Sequence, residues 1–329
     1  MKTTVSDQLF QLVKNKYGTK KNFDYFYEDF KKSFDFCTKN PNITYIPIAL
    51  FENKKLIAHS ALIIDKRQKE GEAFFGFFES PNDKKVCNEL WSQLKYEANK
   101  RDISVLKGPI NGSIWHQYRC IKETNRSSFF KSEPISETYY YKLLKQFDPS
   151  AEVTYYSAYR HNFTKVLGLI NKNTDLLINN GFKIISNPTI TTKLLQEIAF
   201  ISQKVFSVNS WGYTELTMEE FLKLYSPTKL SAHLSKLYVL LKNDQLIGYC
   251  GTGSDDNNKT LIIKTICIVS SYQGLGLGNA LALEIHKDAI KEGFRKVIYA
   301  LIREGNQIKN FPKDDAVIFR KYAAFEYTI

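Results

Sequence analysis

Cysteine is scarce in this sequence: Cys37, Cys87, Cys120, Cys250 and Cys267, with no CxxC pair among them. That excludes a disulfide scaffold and leaves the thiols expected in the reduced form. Histidine is equally rare. His59, His116, His161, His233 and His286 form no HxxxH, HExxH or Cys/His cluster, so no spaced ligand set exists and no metal is expected. Long apolar runs are missing as well. The longest, Ile43–Phe51 and Leu261–Val269, reach half of the ~20 residues a membrane-spanning helix needs, and proline or polar residues break each. The opening MKTTVSDQLFQLVKNKYG has no sustained apolar stretch and no small-residue cleavage site. No secretory signal is read there, and a cytoplasmic location is expected.

Arginine is the fourth shortage, for only eight of the 46 basic residues are arginine although the net charge is +12. A basic surface is the electrostatic footprint of phosphate binding, but the planar guanidinium is the group that phosphate recognition favours. The lysines are scattered in pairs such as Lys20-Lys21, Lys31-Lys32, Lys54-Lys55 and Lys84-Lys85, which read as solvated faces. Nucleic acid is therefore not the expected partner, and an anionic cofactor suits the charge better. What the chain does have is core material. Its 329 residues are 43% hydrophobic and 14% aromatic, enough for two domains or one large one.

The two halves repeat one order of elements. In the second, residues 236–254 read as a hairpin turning at Asn243-Asp244, 260–269 as a strand, Leu277–Glu292 as a helix stopped by Gly293, and 295–302 as a strand. In the first, residues 43–65 read as a hairpin turning at Glu52-Asn53, followed by a strand at 72–80, a helix at 86–102 and a strand at 103–108. An asparagine follows each last strand, Asn111 and Asn306. Residues 152–163 read as the closing strand of the first half and 164–181 as a helical connector. Helices are expected at 192–206 and 217–225, the latter opened by a Thr217/Glu220 capping box. The divide is placed at about residue 185, giving domains 1–185 and 186–329.

The most informative run is Ile266 to Ala280, ICIVSSYQGLGLGNA: a buried strand, a glycine-dense turn, and a helix whose first turn falls at the glycines. Such a run binds phosphate, because glycines admit positive φ and close approach while the first helical N–H groups lack intrahelical partners. A Walker A loop is excluded, since no lysine followed by Ser or Thr lies here. The dinucleotide pattern GxGxxG fails from either start, meeting Leu281 or Asn279 at its third glycine. The pattern Q/R-x-x-G-x-G is met by Gln273, Gly276 and Gly278.

With this loop between strand and helix, residues 236–306 resemble the GNAT superfamily, acyltransferases that use acyl-coenzyme A. The resemblance implies an α/β (α+β) protein of two GNAT-like domains, each a mixed, mostly antiparallel sheet flanked by helices. It implies acetyl-CoA or another acyl-CoA as cofactor. The pyrophosphate would lie on Gln273, Gly274, Leu275, Gly276, Leu277 and Gly278, the pantetheine along Ile266, Ile268 and Val269, with Asn306 in contact. The first half has Glu79-Ser80-Pro81-Asn82-Asp83 where the loop should be, and is expected to bind no coenzyme A. Together the halves resemble bacterial tandem GNAT proteins in which one repeat has lost its cofactor site.

The implied reaction moves an acyl group to an amine of a small molecule or peptide. Rival readings are an aminoacyl-tRNA-dependent transferase of related fold, against which the intact loop argues, and a sensor or scaffold that binds acyl-CoA without turnover. The family often uses a tyrosine in a pattern like LYxxxGF to protonate the leaving thiolate, but here AVIFRKYAAFEYTI has Arg320 and Ala324 at those places. Tyr322 is the candidate acid, set against the preferred reading that Phe319–Tyr327 is a terminal strand with packed aromatics. Glu219, Glu220, Tyr213 and Lys264 are the candidate bases. His286 is read as a surface residue. Trp211 and Tyr213, and Trp115, His116, Tyr118 and Arg119, either line an acceptor pocket or pack an interface between the halves. The sequence leaves the acceptor, the acyl length and the oligomeric state open.

Overall fold

The computed structural model describes residues 4–163, 166–168, 180–225, 236–255, 259–305 and 316–329. Two compact units emerge: Met1–Tyr155 with Trp211–Thr214 and Arg320–Ile329, and Tyr156–Ser210 with Glu215–Phe319. Among the described residues no helix is long and apolar enough to cross a membrane.

The first unit begins with helices α1 (Val5–Tyr17) and α2 (Phe23–Lys39). A reciprocal Thr4/Asp7 capping box opens α1, whose buried Leu9, Val13 and Tyr17 recur every fourth residue and so share one face. Strands β1 (Ile43–Glu52), β2 (Lys55–Asp65), β3 (Glu72–Glu79) and β4 (Val105–Gly108) follow, with helix α3 (Lys84–Asn99) between β3 and β4. The β1–β2 turn is at Asn53-Lys54, both at positive φ, one residue beyond the expected place because Glu52 pairs with Lys55. Then come β5 (Cys120–Thr124), α4 (Tyr139–Lys145) and β6 (Ala151–Arg160), within which the chain leaves this unit.

The last strand, β12 (Val317–Thr328), gives its residues from Arg320 onward to this sheet, antiparallel to both β4 and β5. One face of the sheet packs on α3 and α4 through Leu90, Trp91, Leu143 and Phe325. The other packs on α1 and α2 through Phe26, Phe30, Phe34 and Phe77.

The second unit carries β7 (Phe182–Ser186), helices α5 (Thr192–Asn209) and α6 (Met218–Leu224), and strands β8 (Lys236–Lys242), β9 (Gln245–Asp255) and β10 (Thr260–Ile268). Helix α7 (Leu277–Lys291) then leads to β11 (Lys296–Arg303). The sheet order is β7-β8-β9-β10-β11, antiparallel except for β10 beside β11. The β8–β9 turn is at Asn243-Asp244, both at positive φ, as expected of a tight hairpin. The Thr217/Glu220 box opens α6. Most of the expected connector at 164–181 lies outside the described residues. Both units are thus mixed, mostly antiparallel sheets covered by helices.

Burial settles two histidines, one in each unit. His286, read from sequence as a surface residue, has no exposed area. Its Nδ1 lies 2.6 Å from the Ala282 carbonyl and its Nε2 2.7 Å from the Tyr299 hydroxyl. The reason is its place on the α7 face that also carries Leu281, Ile285 and Ala289 into the core. His59 is buried with Nδ1 2.8 Å from the Phe77 carbonyl. Desolvation lowers both pKa values from 6.5 to about 4. On acidification the unfolded chain therefore takes up these protons first, so stability should fall from about pH 6.5 and level off near pH 4, by about 3 kcal/mol for each ring. Urea midpoints at pH 7 and pH 5 check this, and His286→Gln should weaken the pH slope. An unchanged slope would contradict it.

Candidate functional site

In the second unit β10 and β11 pair only over Thr260–Ile263 against Lys296–Tyr299, whereas β10 stays paired to β9 as far as Ile268. Strand β11 runs on to Arg303, with Leu301 at φ +57° and its amide donating to Ser157 Oγ at 3.0 Å. The two strands therefore part, and from Thr265 to Ile268 β10 has no ladder partner in β11. Ile266, Ile268 and Val269 are half-buried along this opening, Ile266 packing against the core under α7, while Cys267 between them is buried beside Ile201 of α5. Not every expected donor is available there: the Val269 amide already donates to the Ile247 carbonyl at 2.9 Å.

The loop follows directly. A single 3-10 turn at Ser270–Tyr272 leads to Gln273, whose side-chain amide donates to the Ile268 carbonyl at 2.8 Å and so ties the loop to the strand end. Gly274 and Gly276 stand at φ +82° and +79°, and a Cβ built on either would meet no heavy atom within 4 Å. Backbone conformation asks for glycine here, while the space above is open. Gly276 is the N-cap of α7 and no side chain caps the helix. The Ala280 amide is the first to find a helical acceptor, in Gly276. Among the described residues, the amides of Gly274 to Asn279 have no protein acceptor. They present N–H groups at the positive end of a helix dipole, an arrangement whose chemistry suits an anion.

The first unit has the same layout, filled in. Strand β3 pairs with β4 only over Glu72–Phe74 and then parts from it. The gap is occupied by the following chain: the Ile110 amide donates to the Phe75 carbonyl at 2.8 Å, and Asn111 Oδ1 accepts the Phe77 amide at 2.7 Å. A Cβ on Gly76 would lie 2.1 Å from the Ile110 carbonyl oxygen. At the start of α3, the Asp83 carboxylate accepts the amides of Lys85 and Val86 at 2.7 and 3.3 Å. The place an external anion would take is held by a carboxylate of the chain itself.

Glu79 does not face that helix end. It is buried and accepts hydrogen bonds from Tyr140, Lys16 and Tyr17 at 2.7, 3.1 and 3.2 Å. Burial raises its pKa, and Lys16 pulls it part of the way back. Sequence reasoning missed this cluster because its members stand far apart in the chain and only the fold collects them.

Tyr322 lies on β12 with no exposed area, and its hydroxyl donates to the buried Glu133, which also pairs with Arg320. A thiolate must be reached to be protonated, so this burial supports the packed-strand reading over that of a proton donor. Asn306 lies outside the described residues. Of the candidate bases, Glu220 is engaged in its capping box, Tyr213 belongs to the first unit, and Glu219 and Lys264 are exposed in the second.

The aromatic candidates fall into two groups in the first unit. Trp115 donates to the Thr214 carbonyl at 3.0 Å and meets Tyr213 edge to face, Trp211 packs on the core under α1 and α2, and His116 packs at a tilt against Phe36. Tyr118 and Arg119 instead line a cleft with Phe77 and Glu79.

Residues 198–309 match the acetyltransferase (GNAT) family. Among solved structures, a tandem GNAT protein from the clavulanic acid biosynthesis pathway, without acetyl-CoA, is similar over 97% of this chain and 93% of its own, at 12% identity and TM-score 0.58. The GCN5-related glucosamine N-acetyltransferase region of a fungal multi-domain GH3 β-N-acetylglucosaminidase aligns with 98% of this chain at 10% identity and TM-score 0.55, and there this chain spans 37% of the other. A GCN5-related N-acetyltransferase from Anabaena variabilis aligns with 98% of this chain and 71% of its own, at 11% identity and TM-score 0.52. At these identities the likeness is one of fold. No curated protein matches in sequence.

Proposed function

Starting from a chain that has the tandem GNAT fold and whose residues 198–309 match the acetyltransferase (GNAT) family, we propose that its second unit binds acyl-coenzyme A and that the protein transfers the acyl group to an amine of a small molecule or peptide. The observation that carries this reading is the uncapped start of α7, where unpartnered amides meet two open glycines. Gln273, Gly274, Leu275, Gly276, Leu277 and Gly278 would hold the pyrophosphate. The pantetheine would run where β10 leaves β11, past Ile266, Ile268 and Val269, and Asn306 is proposed as a contact on its family position alone. When bound, the cofactor supplies an acyl group activated as a thioester.

The chain contributes binding and polarisation. Backbone N–H groups of a strand without a neighbour can stabilise developing oxyanion charge without any particular side chain. An alkyl ammonium must also lose a proton first, which at neutral pH costs about 4–5 kcal/mol unless a base or ordered water assists. A second reading, a protein that binds acyl-CoA without turnover, draws on the burial of Tyr322.

The first unit is proposed to hold no coenzyme A, because Asp83, Ile110 and Asn111 fill its equivalent positions. Calorimetry on the full chain should give one coenzyme A per chain, and acetyl-CoA with a panel of primary amines should release free thiol. Binding without thiol release from any amine would favour the second reading, and absence of binding would overturn both.

A further inference from the structure

The opening between β10 and β11 has a chemically defined edge. The Val269 amide donates to the Ile247 carbonyl at 2.9 Å, and Cys267 stands opposite Tyr249 in the same antiparallel ladder. Backbone groups alternate in direction along a strand, so Val269 and Cys267 turn theirs toward β9 while Ile266 and Ile268 turn theirs into the opening. One of these edge acceptors is already taken. The Ile268 carbonyl receives the side-chain amide of Gln273 at 2.8 Å.

Gln273 is engaged at both of its nitrogens, for its backbone amide donates to the Ser270 carbonyl at 3.2 Å. The residues after it are held by little packing. Tyr272 on one side meets Phe182 edge to face, and Leu277 on the other is buried. Between these anchors Gly274 and Gly276 carry no side chain, a Cβ on either would meet nothing within 4 Å, and Leu275 is 54% exposed. The path of this stretch is therefore set by hydrogen bonding, and its side-chain tie to the strand is that of Gln273. A long side chain ending in an N–H donor is what such a tie requires. Arginine, the other residue that the Q/R-x-x-G-x-G pattern admits at this place, has both properties as well.

We infer that Gln273 is a positioning residue: it serves anion binding through the Ile268 carbonyl, by setting the path of Gly274 to Gly278 before the anion arrives, and not by touching the anion. A loop ordered beforehand loses less conformational freedom on binding, and that difference appears as affinity. The inference rests on the proposed cofactor site and gives Gln273 a role there other than contact.

Calorimetry on the intact chain tests it with two probes, coenzyme A and 3′-phospho-ADP, which keeps the pyrophosphate and lacks the pantetheine. Gln273→Met, similar in length but without a donor, should weaken both by the same factor, about three- to tenfold, the scale of one exposed hydrogen bond. Its melting temperature should match that of the wild-type chain, since Gln273 is exposed, and Gln273→Arg should recover most of the affinity. Without ligand, the Met variant should show lower amide order parameters at Gly274 and Gly276, which loss of a direct contact would not produce. Full affinity in Gln273→Met, a loss confined to coenzyme A, or a loss with the loop amides unchanged would each overturn the inference. A wild-type chain that binds neither probe would instead overturn the cofactor reading, and this inference with it.

Discussion

Replacing Gly276 by aspartate should abolish measurable coenzyme A binding while the second unit stays folded. Aspartate is among the few residues that tolerate the left-handed conformation, at a cost of about 1–2 kcal/mol, and a Cβ at this position meets no atom within 4 Å. The substitution would install at α7 what Asp83 already does at α3, a carboxylate resting on the free amides of the first turn. An incoming pyrophosphate would lose those donors and meet a negative charge. If each charge-assisted contact is worth about 1.5–3 kcal/mol, loss of two lowers affinity by about 10² to 10⁴-fold. Gly276→Asn, which caps without charge, should be milder. Calorimetry on folded variants checks both, and undiminished affinity in the aspartate variant would remove the loop from the proposal.

The second large effect concerns stability. Arg320→Met should destabilise the first unit by about 3–5 kcal/mol, the usual result of stripping one partner from a buried ion pair. Arg320 and Glu133 are 2% and 1% exposed, and Arg320 also donates to the Ser127 carbonyl and, at 3.2 Å, to Thr124 Oγ1.

The pH dependence has a definite sign. Burial raises the Glu133 pKa and the Arg320 charge opposes that rise. Without Arg320 the carboxyl goes higher still, so the folded variant binds a proton that the unfolded chain does not. Its deficit against wild type should therefore shrink as pH falls from 7 toward 5. Tyr322→Phe removes one hydrogen bond to the same carboxylate and should cost about 1–3 kcal/mol with turnover per folded molecule unchanged. Thermal or urea unfolding followed by an assay of the folded fraction measures each. A fall in turnover at full stability would return Tyr322 to the chemistry.

The sequence by itself determined the local elements and the loop. Alternating and fourth-residue apolar patterns gave the hairpins, the strands and α7, because such periodicities are properties of neighbouring residues. Gln273 to Gly278 could be recognised for the same reason: positive φ, free amides and the start of a helix are all decided within a few residues. Tertiary structure decided the rest.

Tyr322 and Arg320 acquire their meaning from Glu133, 189 and 187 positions away. Glu79 becomes a buried acceptor through Lys16, Tyr17 and Tyr140, 63, 62 and 61 residues distant. His286 was indistinguishable in the sequence from a solvated residue on an amphipathic helix until its helix face met Tyr299. Asp83 stood in the sequence only as part of the stretch that replaces the loop, whereas the fold makes it the cap that holds the first amides of α3. A carboxylate's role depends on which N–H groups surround it, and that is set by the path of the backbone through space, to which residue type alone is blind.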